Sequence, residues 1–244
     1  MAIRQRFAQR FLVAVLAFAC GGCGHLPGRP TESSIVIDPD KISDFRLLFR
    51  ENCSGCHGAD GKQGAGIAIG DPVYLAFADD SVLRKVITNG IAGTSMPPFA
   101  RSAGGMLTDD QIAVLVNGIR RWSQPNALAG VTPPSYASTQ PGDPQRGAAV
   151  YATFCESCHG AGGKGGPKGS SIVDGTFLAL LTDQELRTMI VVGRPDLGAP
   201  DWRNNVPGKP MSSEEISDVV AWLAAQRPKF AGRPYPSPPV GEHP

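Results

Sequence analysis

The sequence predicts an all-α chain made of two tandem copies of one small helical module. Three observations carry that prediction. A five-residue pattern, Cys53-Ser54-Gly55-Cys56-His57, returns in the second half as Cys155-Glu156-Ser157-Cys158-His159. Each copy ends one amphipathic helical stretch and is followed by a glycine-rich segment and two further helical stretches. A proline-rich interval separates the copies. At 244 residues the chain accommodates two small domains.

Composition narrows the function. Hydrophobic content is ordinary at 41%, and 30 Gly with 22 Pro point to many turns. The net charge is +1 and falls to −2 if Arg4, Arg6 and Arg10 leave with a cleaved leader. No basic stripe suggests a nucleic-acid surface, so no nucleic-acid partner is expected. Of six cysteines, four belong to the repeated pattern, and Cys20 and Cys23 lie near the N-terminus.

Cys-x-x-Cys-His is the attachment pattern of a c-type haem. Two cysteines three apart at a helix end lie on one side, matching the two haem vinyl groups, and the next histidine points at the iron. Cys53, Cys56 and His57 would hold one haem, and Cys155, Cys158 and His159 a second. A CxxC pair also serves as a redox disulfide or as half of a zinc site. The redox motif belongs at a strand-to-helix junction, which neither copy occupies. A shared zinc would leave the duplicated downstream pattern unexplained.

Residues 1–23 are expected to be an export signal. Three arginines precede an apolar run from Phe11 to Ala19 and the small-residue segment Cys20-Gly21-Gly22-Cys23. The run is shorter than the roughly 20 residues that span a bilayer. Cysteines there suggest a lipoprotein signal, with lipidation at Cys20 or Cys23, although neither sits in a perfect lipobox. Ordinary cleavage of a periplasmic protein is the other reading. Residues 24–40 form a polar tether.

The first domain is expected over 41–123. Asp44 to Cys56 reads as a helix, with Phe45, Leu48 and Phe49 at i, i+3 and i+4. Gly58, Gly61, Gly64 and Gly66 then let the chain turn tightly. Asp80 to Ile91 is a second helix, followed by Gly93-Thr94-Ser95-Met96-Pro97-Pro98-Phe99. Thr108 to Trp122 closes the module, with Thr108 as N-cap, acids in its first turn and arginines in its last.

With CxxCH at one end and this methionine loop at the other, the chain resembles the class I cytochrome c family. That resemblance implies that Met96 ligates the first iron opposite His57 and that the last helix packs across the first. A thioether is a soft, neutral ligand that raises the reduction potential.

Residues 124–143 read as a semi-rigid proline-rich linker. The second domain is expected over 144–227, with helices at Gly147 to Cys158, Thr182 to Val192 and Ser212 to Ala225. Residues 228–244 form a proline-rich tail. Each module is small and relies on haem to fill its core.

The halves diverge where the first has its methionine. Aligning Gly90 with Gly193 puts Ala199 on Met96 and Trp202 on Phe99. Alanine does not ligate iron. Met211 is the only methionine further along, and it aligns with Leu107, a core position. The sixth ligand of the second iron is therefore Met211, or water or nothing, or Lys209, His243 or a partner's residue.

The resemblance implies an electron carrier with no catalytic residues, working with redox proteins or a membrane respiratory complex on the periplasmic side. A dihaem peroxidase using an open second haem is the alternative, with Glu214, Glu215 and Arg203 as its candidate acid/base groups. A haem-based gas sensor would need an output module.

Overall fold

The computed structural model describes residues 37–128 and 130–229. The expected export signal with Cys20 and Cys23, the tether up to residue 36 and the tail from 230 with His243 lie outside the described residues. The chain divides into two compact units, 1–41 and 42–244. Of the first, the structure describes residues 37–41, with one 3-10 turn at Pro39–Lys41. Among the described residues no helix is long and apolar enough to cross a membrane.

The second unit holds ten α-helices among its described residues and no strand longer than a single bridge. The fold is all-α, in two tandem modules. The first contains α1 (Phe45–Asn52), α2 (Ser54–His57), α3 (Pro72–Phe77), α4 (Asp80–Asn89) and α5 (Asp109–Arg120). The second repeats them as α6 (Pro144–Phe154), α7 (Glu156–His159), α8 (Gly175–Ala179), α9 (Asp183–Val192) and α10 (Ser213–Ala224).

Local sequence explains the boundaries. Asp44, Asp79 and Asp143 cap α1, α4 and α6 with their side-chain oxygens. Thr108, Thr182 and Ser212 start α5, α9 and α10, each in a capping box with Gln111, Glu185 or Glu215. The helix expected over Asp44 to Cys56 is two pieces, because the backbone bends at Cys53 (φ −120°, ψ −38°) before a single turn delivers Cys56 and His57. The same break occurs at Cys155 (φ −121°, ψ −32°). Helices α3 and α8 were not expected from the sequence. Each starts behind a capping aspartate, Asp71 or Asp174, and Asp71 is followed by a proline at the first helical position.

In each module the last helix packs across the first, as the resemblance implied. Both crossings depend on a glycine, but on opposite helices. In the first, a Cβ on Gly118 of α5 would lie 2.0 Å from the Phe45 ring of α1. In the second, a Cβ on Gly147 of α6 would lie 2.7 Å from Cβ of Trp222 in α10 and 2.1 Å from the Asp218 carbonyl oxygen. Counting from the shared motifs, Gly147 takes the place of Phe45, and Trp222 that of Gly118. The large and small partners have traded sides. Around them, Phe45, Phe49 and Trp122 form an aromatic cluster with centroids 5.1–5.7 Å apart. In the second module Tyr151 stacks on Trp222 at 4.4 Å.

An arginine ties the end of each module to its middle. Arg120 donates to the carbonyls of Leu75 and Ala78 and pairs with Asp80 at 2.6 Å. Arg227 donates to the carbonyls of Leu178 (3.2 Å) and Leu181 (2.8 Å) and pairs with Asp183. These are repeat-equivalent acceptors, reached from different points along the chain.

The proline-rich segment between the modules is fastened to both. Tyr136 packs on Phe77 at 5.1 Å, and its carbonyl accepts from Gln184 at 2.8 Å. The Ser135 carbonyl accepts two bonds, at 3.0 and 3.1 Å, from the buried guanidinium of Arg187. Helix α9 also packs against α3.

Candidate haem sites

The two CxxCH segments adopt one geometry. The His57 amide donates to the Cys53 carbonyl at 3.0 Å, and the His159 amide to the Cys155 carbonyl at 2.9 Å. Each short turn sets its cysteines three apart and its histidine next in line. None of these four cysteines is joined in a disulfide. Burial, with the neighbouring Cys56 adding to it, pushes Cys53 up to about 12; burial and Cys158 do the same for Cys155. A redox CxxC pair relies on a depressed thiol at its first cysteine, and burial moves Cys53 and Cys155 the other way.

Each histidine is oriented by a backbone carbonyl. Nδ1 of His57 donates to the Ile67 oxygen at 2.8 Å, and Nδ1 of His159 to the Ser170 oxygen at 2.9 Å. A carbonyl accepts only from N–H, so the proton sits on Nδ1 and the Nε2 lone pair is available to a metal. Burial lowers the His57 pKa, favouring the neutral, ligating form. A glycine clears space for each ring. A Cβ on Gly66 would lie 3.0 Å from Cε1 of His57, and one on Gly169 would lie 2.9 Å from Nδ1 of His159.

The opposite-side loops also correspond. The Ile91 amide donates to the Met96 carbonyl, and the Arg194 amide to the Ala199 carbonyl, both at 2.9 Å. Gly90 (φ 64°) and Gly193 (φ 71°) open these loops in the left-handed half of conformational space, which glycine adopts without strain. The Phe99 amide reaches the Ile87 carbonyl at 3.1 Å, and the Trp202 amide reaches that of Val191 at 3.3 Å, one residue past the repeat equivalent of Ile87. Ala199 thus occupies the place of Met96.

Met211 is buried, at 3% exposure. Its amide donates to the Trp202 carbonyl at 3.0 Å, as the Leu107 amide donates to Phe99 at 2.8 Å, so the alignment of Met211 with Leu107 is seen in the backbone. Its sulfur accepts from Nδ2 of Asn205 at 3.8 Å. The Lys209 ammonium lies 4.8 Å from the Phe154 ring centroid. The acid/base candidates are engaged as well. Glu214 faces Arg146 at 3.3 Å, Glu215 accepts from the Ser212 amide at 2.8 Å, and Arg203 pairs with Asp201 at 2.6 Å.

Vicinal cysteines outside any disulfide, a carbonyl-oriented imidazole and a glycine cradle fit covalently attached haem at both positions. Together with the helical tandem fold, they define a dihaem c-type cytochrome. The chain belongs to the family described as cytochrome c oxidase, cbb3-type, subunit III, whose sequence profile matches residues 40–117 and 142–223.

Among curated relatives, a cbb3-type cytochrome c oxidase subunit FixP of Sinorhizobium medicae is 30% identical over 133 residues, covering 51% of this chain and 40% of the relative. FixP of Rhizobium meliloti is 29% identical over 167 residues, covering 63% and 52%. The chain thus spans about half the length, or less, of these relatives. A solved chain from the Kuenenia stuttgartiensis reducing HAO-like protein complex aligns over 79% of this chain and 100% of its own, with a TM-score of 0.47 and 18% identity.

Proposed function

We propose that this protein is an electron-transfer subunit that carries electrons between a periplasmic or membrane-bound donor and a respiratory oxidase of the cbb3 type. Cys53 and Cys56 would tether the first haem and Cys155 and Cys158 the second, with His57 and His159 on the iron. Met96 would complete the first site. Each haem supplies reversible one-electron storage. The residues orient each imidazole through a carbonyl.

The observation that carries this reading is the duplication of the histidine–carbonyl geometry in two modules fastened together. The names of the relatives, all cbb3-type oxidase subunits, support the partner. Export, and lipidation at Cys20 or Cys23, would keep the carrier beside that partner on the periplasmic face. Peroxidase chemistry needs a free acid or base near the open iron. Glu215 and Arg203 are each engaged with another group, and Glu214 sits in an exposed ion pair with Arg146.

The test is anaerobic titration of the holoprotein, followed by mixing with a cbb3-type oxidase. Two reducing equivalents should enter per chain and pass to the oxidase, and Met96→Ala should remove a near-infrared sulfur-to-iron band. Rapid peroxide turnover with a reduced donor, without transfer to the oxidase, would overturn the proposal.

A further inference from the structure

We propose that the second haem keeps an open face at Ala199 that takes a small neutral π-acceptor molecule, of which carbon monoxide is the simplest, on reduced iron. The inference rests on the haem-attachment reading above and concerns what this chain places opposite His159.

Ala199 fills the place of Met96, its carbonyl accepting from Arg194 as that of Met96 accepts from Ile91, so the second module presents a methyl group where the first presents a thioether. The described alternatives are held elsewhere. Met211 is fixed on both sides. Its own amide is bonded to the Trp202 carbonyl, and the next residue, Ser212, is locked in a capping box with Glu215 through bonds of 2.8 and 3.1 Å. Moving its sulfur to the place of Ala199 would break that start of α10 and leave a hole where Leu107 serves in the first module. Lys209 is bonded through its amide to the Val206 carbonyl at 3.0 Å, with its ammonium over Phe154. A loop one residue longer than its counterpart accommodates this arrangement.

The lack of a free proton-transfer group on the loop narrows the ligand class. Two arginines border Ala199 in the sequence, and each pairs with its own carboxylate. Arg194 holds Asp196 through bonds of 2.8 and 2.9 Å, and Arg203 holds Asp201 through bonds of 2.6 and 3.0 Å. Both carboxylates are taken up by these pairs, so neither is free to move a proton. That environment favours a neutral diatomic molecule, whose binding needs no proton transfer, over peroxide, whose cleavage does.

The experiment is carbon monoxide titration of the reduced, full-length holoprotein, after a pyridine haemochrome assay has counted its haems. Two haems per chain and a Soret shift in half of them are expected. Ala199→Met should abolish the shift and raise the near-infrared sulfur-to-iron bands of the oxidised protein from one to two. Met211→Leu should leave the shift and the single band unchanged. Two haems with no shift, or loss of a near-infrared band in Met211→Leu, would overturn the open face alone. Fewer than two haems would overturn the attachment reading and the open face with it.

Discussion

Nη2 of Arg194 donates to the Gly64 carbonyl at 3.0 Å, which fastens the Ala199 loop of the second module to the loop that follows His57 in the first. The contact closes a continuous route. His57 bonds to the Ile67 carbonyl, the backbone runs back to Gly64, Arg194 bridges the modules, and its own amide reaches the Ala199 carbonyl. Replacing Arg194 with Ala removes a charge-assisted hydrogen bond worth about 2 kcal/mol. For a chain of this size that lowers the melting temperature by about 5 °C. Calorimetry of the holoprotein should show one transition becoming two, and flash-induced electron equilibration between the haems should slow. An unchanged single transition would show that the contacts through Tyr136 and between α3 and α9 suffice to couple the modules without Arg194.

Stability should fall in acid through Asp218. Its carboxylate is buried, at 3% exposure, and accepts from the Arg146 guanidinium at 2.7 and 2.9 Å and from the Asp143 amide at 2.7 Å. The Arg146 hydrogen bond, ahead of the backbone bond, holds its pKa below the ordinary carboxylate value despite burial. A depressed folded-state pKa gives stability that is complete above the unfolded value, about 4, and lost as pH drops through the lower folded one. Thermal unfolding of wild type from pH 6 downward should therefore weaken below about pH 4. Asp218→Asn should be less stable at pH 6 and flatter with pH. Parallel curves for the two proteins would remove Asp218 as the source.

The exchanged crossing partners give a size test. Gly118→Trp should clash with Phe45, since a single Cβ there already lies 2.0 Å from the ring; overpacking costs about 1–3 kcal/mol or more. Adding Phe45→Gly recreates the Gly147–Trp222 arrangement and should recover most of the loss. Denaturant unfolding of the single and double variants measures the coupling. Additive losses would mean that the two positions do not share one space.

Much of this fold could be read from the sequence because the strongest signals are local. CxxCH fixes the haem-facing turn, and Thr108, Thr182 and Ser212 announce their helices through side chains within three residues of the amides they cap. The exchange of Met96 for Ala199 was visible by alignment, and the bond each carbonyl accepts places the two residues at matching points of their loops. Long-range contacts were not legible. Nothing near Arg194 in the sequence points to Gly64, and Arg120 and Arg227 reach equivalent carbonyls from positions that do not align. The helix at Pro72–Phe77 was missed although its capping aspartate and N1 proline are both local signals. The proline content of 124–143 suggested a spacer, whereas hydrogen bonds from Arg187 and Gln184 draw it onto the second module.

The trade of bulk between the crossings also governs how a duplicated chain sorts its own helices while folding. Tandem repeats risk misassembly, because a helix from one copy can find the partner meant for the other. Here the wrong matches are penalised in opposite ways. Pairing 45–52 with 213–224 would set Phe45 against Trp222, and pairing 144–154 with 109–120 would set Gly147 against Gly118 and leave a void. One mismatch is too full and the other too empty. The two copies have diverged into separate locks, so each takes only its own key.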